Sequence, residues 1–154
     1  GDAGYLKNGE LFLQERIKDL FKTSNGKYIA PQMIESKILV DKYIDQIAII
    51  ADQRKFVSAL IIPVYGMLEE YARAHNIAFE NREQLCANPQ IYAMMKERID
   101  TLQQQLAHYE QVKRFTLLPH QFSMEKGELT NTLKIRRRVL NENYKAEIDK
   151  MYED

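Results

Sequence analysis

The chain has 154 residues with 22 Lys plus Arg and 22 Asp plus Glu, so its net charge is zero and no overall field favours nucleic acid or a membrane surface. The lone Cys86 and the scattered histidines (His75, His108, His120) exclude a disulfide framework and give no metal-ligand spacing. No apolar run approaches the roughly 20 residues of a spanning helix, and no signal-peptide pattern opens the chain, so we expect a soluble, cytoplasmic protein.

Residues 5–13, YLKNGELFL, place apolar residues on both sides of Asn8-Gly9. This pattern is typical of a β-hairpin, because both turn positions tolerate positive φ. The chain opens GDAGY without an initiator Met and enters this strand almost at once. We therefore expect a piece of a longer protein.

Residues 15–31, ERIKDLFKTSNGKYIAP, contain a turn at 24–26 and a proline, Pro31, that suits the first turn of a helix. Ile34 and Ile38 would lie on the buried side of that helix, with Val40 as a further candidate. Residues 44–64 then hold two apolar runs joined by the polar residues 52–55. They predict a hairpin that is apolar on both faces and is therefore covered by helices.

The region after this hairpin is dominated by helical spacing. Over residues 63–75 the apolar positions predict a helix: Val64, Met67, Leu68 and Tyr71. A polar linker is expected at 75–90, and Asn88-Pro89 then begins a long helix that is predicted to continue to about residue 112. Its apolar positions are Met95, Ile99, Leu102, Leu106 and Tyr109. That seam is too short for a coiled coil, so the helix is expected to lie against its own sheet.

The predicted fold class follows from these elements. Residues 114–123, RFTLLPHQFS, supply another strand, and a long loop leads to a C-terminal helix. The expected fold is α+β, with a small mixed or antiparallel sheet covered by helices, an N-terminal β-hairpin and a C-terminal helix.

The C-terminal helix has an unusual charge pattern. Its apolar positions (Leu140, Tyr144, Ile148, Met151) predict an amphipathic helix, and Thr130, Asn131 and Thr132 are good N-cap types that would begin it. In that case Lys134 and the arginines 136–138 oppose the helix dipole, each at a cost of about 0.3–1 kcal/mol if exposed. The acidic residues at the far end also oppose the dipole, because a helix C-terminus carries partial negative charge: Glu147, Asp149, Glu153 and Asp154.

Reversed polarity along a whole helix indicates that its basic end meets an anion. The alternative interpretation is that these are solvated surface charges, screened by salt.

Three segments, taken in order, resemble the carboxy-terminal part of the acyl-adenylate-forming enzymes, most closely the long-chain fatty acyl-CoA synthetases. The opening GDAG resembles the family's TGD motif without its first residue. Residues 15–35, ERIKDLFKTSNGKYIAPQMIE, resemble the motif that joins the large domain to the small one. Residues 128–139, ELTNTLKIRRRV, resemble the motif that carries the catalytic lysine, and the helical stretch 91–112 resembles the long-chain subgroup.

The resemblance implies a domain division and an activity. Residues 1–17 would end the large domain, and residues 18–154 would form the mobile C-terminal lid of an AMP-forming long-chain fatty acid–CoA ligase. The whole enzyme would make acyl-AMP from a fatty acid and ATP and pass the acyl group to coenzyme A, with Mg²⁺ and ATP held by the large domain. The fragment alone would be inactive, and its partner would be the large domain of the same polypeptide, without nucleic acid or a transmembrane segment. The full enzyme would be cytoplasmic or peripheral to a membrane.

Among the site residues that the resemblance implies, Lys134 is the catalytic one. A compact ammonium on a flexible stem reaches both the carboxylate and the phosphoryl oxygen as negative charge accumulates between them. Asp2 would take the ribose hydroxyls of the nucleotide, a role suited to two acceptor oxygens. Arg16 would contact ribose or phosphate, and Lys18 occupies the hinge position.

Coenzyme A accounts for the remaining implied residues. Gly26 would lie beside the pantetheine tunnel, where a missing side chain lets a thin ligand pass close to the backbone. Arg136, Arg137 and Arg138 would meet either the coenzyme A phosphates or the surface of the large domain. The sequence does not decide between these two partners of the arginines.

Two other functions fit parts of the pattern. An independent anion- or nucleic-acid-binding module would use Arg136 to Arg138 and show steeply salt-dependent binding, although the neutral overall charge argues against it. A lid domain of an adenylate-forming ligase for another carboxylic acid would keep the same residues. Cys86 is given no catalytic role, because no partner His or acid lies at motif spacing.

Overall fold

The computed structural model describes residues 20–153. The hairpin predicted at residues 5–13 lies outside this range. Along the described chain the elements are β1 (Phe21–Lys22), β2 (Tyr28–Ile29), α1 (Pro31–Ile38), β3 (Ile44–Ile50), β4 (Val57–Pro63), α2 (Tyr65–Ala74), α3 (Arg82–Ala87), α4 (Pro89–Leu102), a single 3-10 turn (His108–Glu110), β5 (Val112–Leu117), α5 (Arg137–Asn143) and α6 (Lys145–Met151).

A three-stranded sheet with the order β3-β4-β5 forms the centre of the fold. Strands β3 and β4 are the predicted antiparallel hairpin, and β4 pairs with β5 in parallel. Parallel neighbours need a long crossover connection, which α2, α3 and α4 provide. Every residue of β4 is buried, as expected of a strand covered on both faces. The predicted α+β class with a small mixed sheet covered by helices is confirmed.

The helices cover the sheet with the residues that periodicity indicates. Ile34 and Ile38 of α1 are fully buried, and so are Met95 and Ile99 of α4. Proline occupies the first turn of α1, and the Asn88 side chain caps α4 by accepting the N–H groups of residues 90 and 91. Arg114 of β5 donates to the backbone carbonyls of Met151 and Glu153, so the end of α6 is fastened to the sheet.

Two of the predicted helix boundaries are wrong. Helix α4 ends at Leu102, about ten residues before the predicted end, and Tyr109 is exposed. The turn from α4 to β5 is held by the buried side chain of Gln103. Its amide oxygen accepts the Val112 N–H at 2.8 Å, and its amide N–H donates to the Val112 carbonyl at 3.0 Å. Helix α1 ends at Ile38, which leaves Val40 72% exposed instead of buried.

The other corrections concern the segments between helices. The expected polar linker at 75–90 contains α3, which is capped by the Asn81 side chain. Strand β5 runs from Val112 to Leu117, earlier than the predicted 114–123. Proline at position 119 lacks the N–H that would continue the ladder.

The C-terminal helix differs most from expectation. It begins at Arg137 without a side-chain cap and is divided at Tyr144 into α5 and α6, so Thr130, Asn131 and Thr132 are not its cap. Helix α6 carries an acid, Glu147, in its first turn and Lys150 in its last. The predicted reversal of polarity along one whole helix is therefore wrong, because α6 follows the favourable order.

The tie between α4 and β5 gives a stability prediction. Replacing Gln103 by Met leaves the buried N–H and C=O of Val112 without partners, so we expect the free energy of unfolding to fall by roughly 2–5 kcal/mol. Denaturant unfolding followed by circular dichroism measures this. The exposed neighbour provides the control: Gln104→Met should change stability by less than about 0.5 kcal/mol. Equal stabilities of the two variants would contradict the structural role of Gln103.

Candidate functional site

Residues 128–136 form a closed loop that we call the arm. The Arg136 N–H donates to the Glu128 carbonyl at 2.9 Å, and Leu129 and Ile135 form an antiparallel bridge. Farther out, the Thr130 N–H donates to the Lys134 carbonyl at 2.8 Å. The two sides of the arm are thus bonded to each other along its length, and the arm ends in a tight turn at residues 131–133.

The turn explains the use of hydroxyl residues. The Thr130 hydroxyl accepts the Lys134 N–H at 3.1 Å and lies 3.0 Å from the Thr132 hydroxyl. The residues predicted to cap a helix therefore organise this turn instead. Leu133 closes it with φ of 62°, a left-handed conformation that costs a non-glycine residue roughly 1–2 kcal/mol. Strain of this kind at an exposed loop is typical of functional segments.

Lys134 follows the strained residue directly and is exposed. Between residues 20 and 153 the structure gives its ammonium no ion pair and no hydrogen bond; only its backbone is held. An exposed ammonium without a carboxylate partner in the described part of the chain is suited to an anionic ligand.

The base of the arm is organised by Glu128, which is completely buried. One carboxylate oxygen accepts the Ser123 N–H at 3.0 Å, and the other accepts the Asn143 side-chain N–H at 3.1 Å. The hydroxyl of Tyr144 is buried and lies beside this carboxylate. Burial, and after it the neighbouring Glu128, raise the pKa of Tyr144, so the phenol stays neutral.

The other end of the arm is held by Arg137, the first residue of α5. Its guanidinium donates to both oxygens of the Glu35 carboxylate, at 2.6 and 2.9 Å. Glu35 belongs to α1, is 7% exposed and also accepts the Ile49 N–H of β3 at 2.8 Å. The guanidinium also lies 5.5 Å from the centre of the Phe21 ring. Arg137 thus joins the arm to α1 and to the central sheet.

The three consecutive arginines have different surroundings. Arg138 has 93% of its side chain exposed and lies 3.8 Å from Glu142, a distance typical of a weak surface pair. Arg136 is exposed, and no ion pair of its side chain occurs within residues 20–153. Sequence reasoning treated the three as one group and missed Glu35 and Glu128. A signal for Glu35 was present, because it lies between the buried positions of α1.

A cleft of about 490 Å³ lies beside α5, and its charged lining is mixed: Arg54, Arg137, Arg138 and Lys145 with Asp52 and Glu142. Arg54 and Lys145 both pair with Asp149, at 3.5 and 2.9 Å. The β1–β2 turn packs on the connection between β3 and β4, because the Ser24 N–H donates to the Arg54 carbonyl at 2.9 Å. Gly26 lies in that turn with φ of 81°, and no atom of residues 20–153 comes within 4 Å of the position that a Cβ would take.

The described residues include only some of the site residues that the sequence predicts. Asp2, Arg16 and Lys18 lie outside the described residues. Lys134 and the arginines 136–138 fall in one short segment, whereas Gly26 lies in a separate turn.

Cys86 and the possible metal ligands provide no further candidate site among the described residues. The Cys86 thiol is buried and faces the Leu118 carbonyl at 3.6 Å, and burial raises its pKa to about 11, so it is not a nucleophile near neutral pH. Residues 20–153 contain no cluster of His, Cys, Asp or Glu that could hold a metal ion. In that same range no helix has the length and apolar character needed to cross a bilayer.

Comparison with known proteins identifies the family. The sequence model described as "AMP-binding enzyme C-terminal domain" matches residues 18–154. The chain belongs to this family. The resemblance to the acyl-adenylate-forming enzymes is thereby confirmed.

Named relatives of this AMP-binding C-terminal domain agree with that assignment. Long chain acyl-CoA synthetase 7, peroxisomal, of Arabidopsis thaliana is 34% identical over 158 residues, which cover 99% of this chain and 22% of the relative. Long-chain-fatty-acid–CoA ligase 1 of Homo sapiens is 33% identical over 157 residues, again 99% of this chain and 22% of the relative. The chain therefore spans about a fifth of the length of these curated relatives.

A solved structure shows the same fold. The crystal structure of the adenylation domain of a carboxylate reductase from Mycobacterium chelonae superposes with a TM-score of 0.73 at 21% identity, over 90% of this chain and 20% of that chain.

The strained turn of the arm gives a second prediction. At Leu133 a glycine should be more stable than an alanine by about 1 kcal/mol, because only glycine adopts positive φ without strain. Urea unfolding of Leu133→Gly and Leu133→Ala measures the difference. At the exposed helical position Ala93, Ala93→Gly should instead lower stability by about 1 kcal/mol. The same sign at both positions would contradict the left-handed conformation of Leu133.

Proposed function

We propose that the chain is the C-terminal lid of an AMP-forming long-chain fatty acid–CoA ligase, with residues 1–17 ending the large domain and residues 18–154 forming the lid. The observation that carries the proposal is the exposed ammonium of Lys134, held on a bonded arm in a member of the AMP-binding C-terminal domain family. The relatives named as long-chain acyl-CoA synthetases support the fatty acid as substrate.

In the first half-reaction a carboxylate oxygen of the fatty acid attacks the α-phosphorus of ATP. The bond from that phosphorus to the pyrophosphate oxygen breaks, and acyl-AMP and pyrophosphate are formed. Two negatively charged groups must approach each other in this step, so an ammonium between them stabilises the transition state more than the separated reactants. Lys134 supplies that ammonium when the lid closes on the large domain.

In the second half-reaction the sulfur of coenzyme A attacks the acyl carbonyl carbon, and AMP leaves. In this step a carboxylate and a phosphate no longer have to approach each other, so the ammonium of Lys134 has no such repulsion to neutralise. We propose that Lys18 is the hinge at which backbone dihedrals change between the two steps. Asp2 and Arg16 would hold the ribose and phosphate of the nucleotide, and Mg²⁺ would accompany ATP in the large domain.

For coenzyme A we propose contacts on the lid surface near α5. Arg136 and Arg138 are exposed, and Arg138 lines the cleft beside α5. Such a surface is suited to phosphate groups. Gly26 leaves an open backbone position at the neighbouring turn. Arg137 is engaged by Glu35, so its contribution to a coenzyme A site is indirect.

We further propose that the full enzyme is cytoplasmic or peripheral to a membrane. Its large domain, in the same polypeptide, would provide the acyl and adenine sites, so residues 1–154 alone would not adenylate a fatty acid.

Removing the ammonium tests the proposal. In the intact ligase, Lys134→Ala should lower fatty-acid-dependent exchange of pyrophosphate into ATP by about 10² to 10³-fold, as expected when one transition-state donor is lost. The matched control is Lys126→Ala, since Lys126 is exposed in the same segment and carries no proposed role. Full exchange by the Lys134→Ala enzyme, with its fold intact, would refute the proposed function.

The coenzyme A contact gives a separate prediction. Arg138→Ala should raise KM for coenzyme A by about five- to tenfold, which corresponds to the loss of roughly 1 kcal/mol from an exposed charge-assisted bond. Pyrophosphate exchange should remain at the wild-type rate, and Lys150→Ala on α6 serves as the exposed control. If exchange falls and KM for coenzyme A does not change, Arg138 meets the large domain instead.

A further inference from the structure

The arm that carries Lys134 is fastened at its two ends by two buried carboxylates, Glu128 and Glu35. We propose that Glu128 and the Arg137–Glu35 pair are positioning residues that set where Lys134 stands relative to the sheet of the lid. The inference rests on the proposed role of Lys134 in acyl-AMP formation and assigns to Arg137 a role that differs from that of its neighbours.

The Arg137 end is fixed in both distance and angle. Two N–H groups of the guanidinium donate to the two oxygens of the Glu35 carboxylate, a paired contact that a lysine cannot reproduce. The Ile49 N–H donates to the same carboxylate, so Glu35 is itself held by β3. Arg137 follows Lys134 by three residues, and the exit of the arm is thereby tied to the most buried part of the lid.

The Glu128 end locks the entry of the arm to its exit. The carboxylate joins the Ser123 N–H, before the arm, to the Asn143 side chain of α5, after it. The Glu128 carbonyl accepts the Arg136 N–H, which closes the ring of contacts. Entry and exit therefore cannot move independently of each other or of α5.

The position of the Lys134 ammonium depends on the backbone of the arm. No side-chain contact within residues 20–153 holds the Lys134 ammonium, so its location derives from the arm backbone alone. A buried ion pair is by itself weak evidence for stability, because desolvation offsets much of the Coulomb attraction. The buried carboxylates Glu128 and Glu35, one at each end of the exposed arm, instead fix the direction in which the arm points. A displacement of about 1 Å at a reacting group can cost about a hundredfold in rate.

The alternative role for Arg137 is direct binding of a coenzyme A phosphate. That role needs a guanidinium that points to solvent, whereas 22% of the Arg137 side chain is exposed, against 93% for Arg138. The two roles differ in the half-reaction they affect. A positioning residue acts on acyl-AMP formation, and a phosphate ligand acts on the KM for coenzyme A.

The experiment uses the intact ligase with Arg137→Lys, Glu35→Gln, the double variant and Glu128→Gln. Controls are the exposed residues Arg73→Lys and Glu125→Gln. Pyrophosphate exchange gives kcat and KM for acyl-AMP formation, and preformed acyl-AMP with coenzyme A gives the second half-reaction. Hydrogen–deuterium exchange of the peptides covering 128–136 reports the arm locally.

Each positioning variant should lower kcat for acyl-AMP formation by about ten- to a hundredfold and leave KM for coenzyme A within about twofold. The double variant should be no slower than the worse single one, because both changes break the same pair. Amide exchange should rise in the arm and stay unchanged in β4 and β5. The controls should match the wild type.

Two results would overturn the inference. A raised KM for coenzyme A with normal acyl-AMP formation in Arg137→Lys would make Arg137 a ligand. Equal losses in both half-reactions, with faster amide exchange throughout the lid, would make the contacts merely structural. Lys134→Ala separates this inference from the proposed function: if that variant loses acyl-AMP formation while the Glu128, Glu35 and Arg137 variants keep it, only the positioning inference fails.

Discussion

The position of the arm depends on one ion pair, between Arg137 and the buried carboxylate of Glu35. It joins the arm to α1, and through the Ile49 N–H to the central sheet, with three hydrogen bonds on a single carboxylate. Its importance lies in geometry more than in net stability, since a desolvated pair gains little over apolar packing but allows few alternative arrangements. Apart from Glu128 and Leu129 at its base the arm is largely exposed, so it needs such an attachment to keep a fixed position relative to the sheet.

The same pair accounts for much of the charge pattern that is puzzling in the sequence. A basic helix start indicates an anion, and for Arg137 the anion is internal. The division at Tyr144 also accounts for Glu147, which lies in the first turn of a new helix instead of near the end of the old one. Within residues 134–138 the cations that remain exposed are then Lys134, Arg136 and Arg138. Three exposed charges of one sign in one short segment favour anionic groups such as phosphates.

Sequence periodicity was sufficient where apolar residues decide the structure. The β3–β4 hairpin, α1 and α2 were predicted because their buried side chains recur at the period of the element. The end of α4 could not be predicted, because it depends on Gln103 meeting Val112, a partner brought close only by the fold. Thr130 to Thr132 were misassigned because hydroxyl residues favour helix caps and turns alike.

The arm itself was recognised only by resemblance, and its two anchors were missed. Glutamate is seldom buried, so sequence reasoning leaves Glu35 and Glu128 on the surface. The partner that allows the burial of Glu35 lies 102 residues away along the chain. No local pattern contains such a contact, whereas the family motif that carries Lys134 is compact enough to be read directly.

We propose that Lys134, held on a fixed arm, neutralises charge only while carboxylate and nucleotide are being joined. The most direct measurement supplies the intact Lys134→Ala ligase with preformed acyl-AMP and coenzyme A and follows thioester formation. The account predicts a rate within about threefold of the wild type, because the step that needs the ammonium is bypassed. A loss of thioester formation as large as the loss of acyl-AMP formation would contradict it.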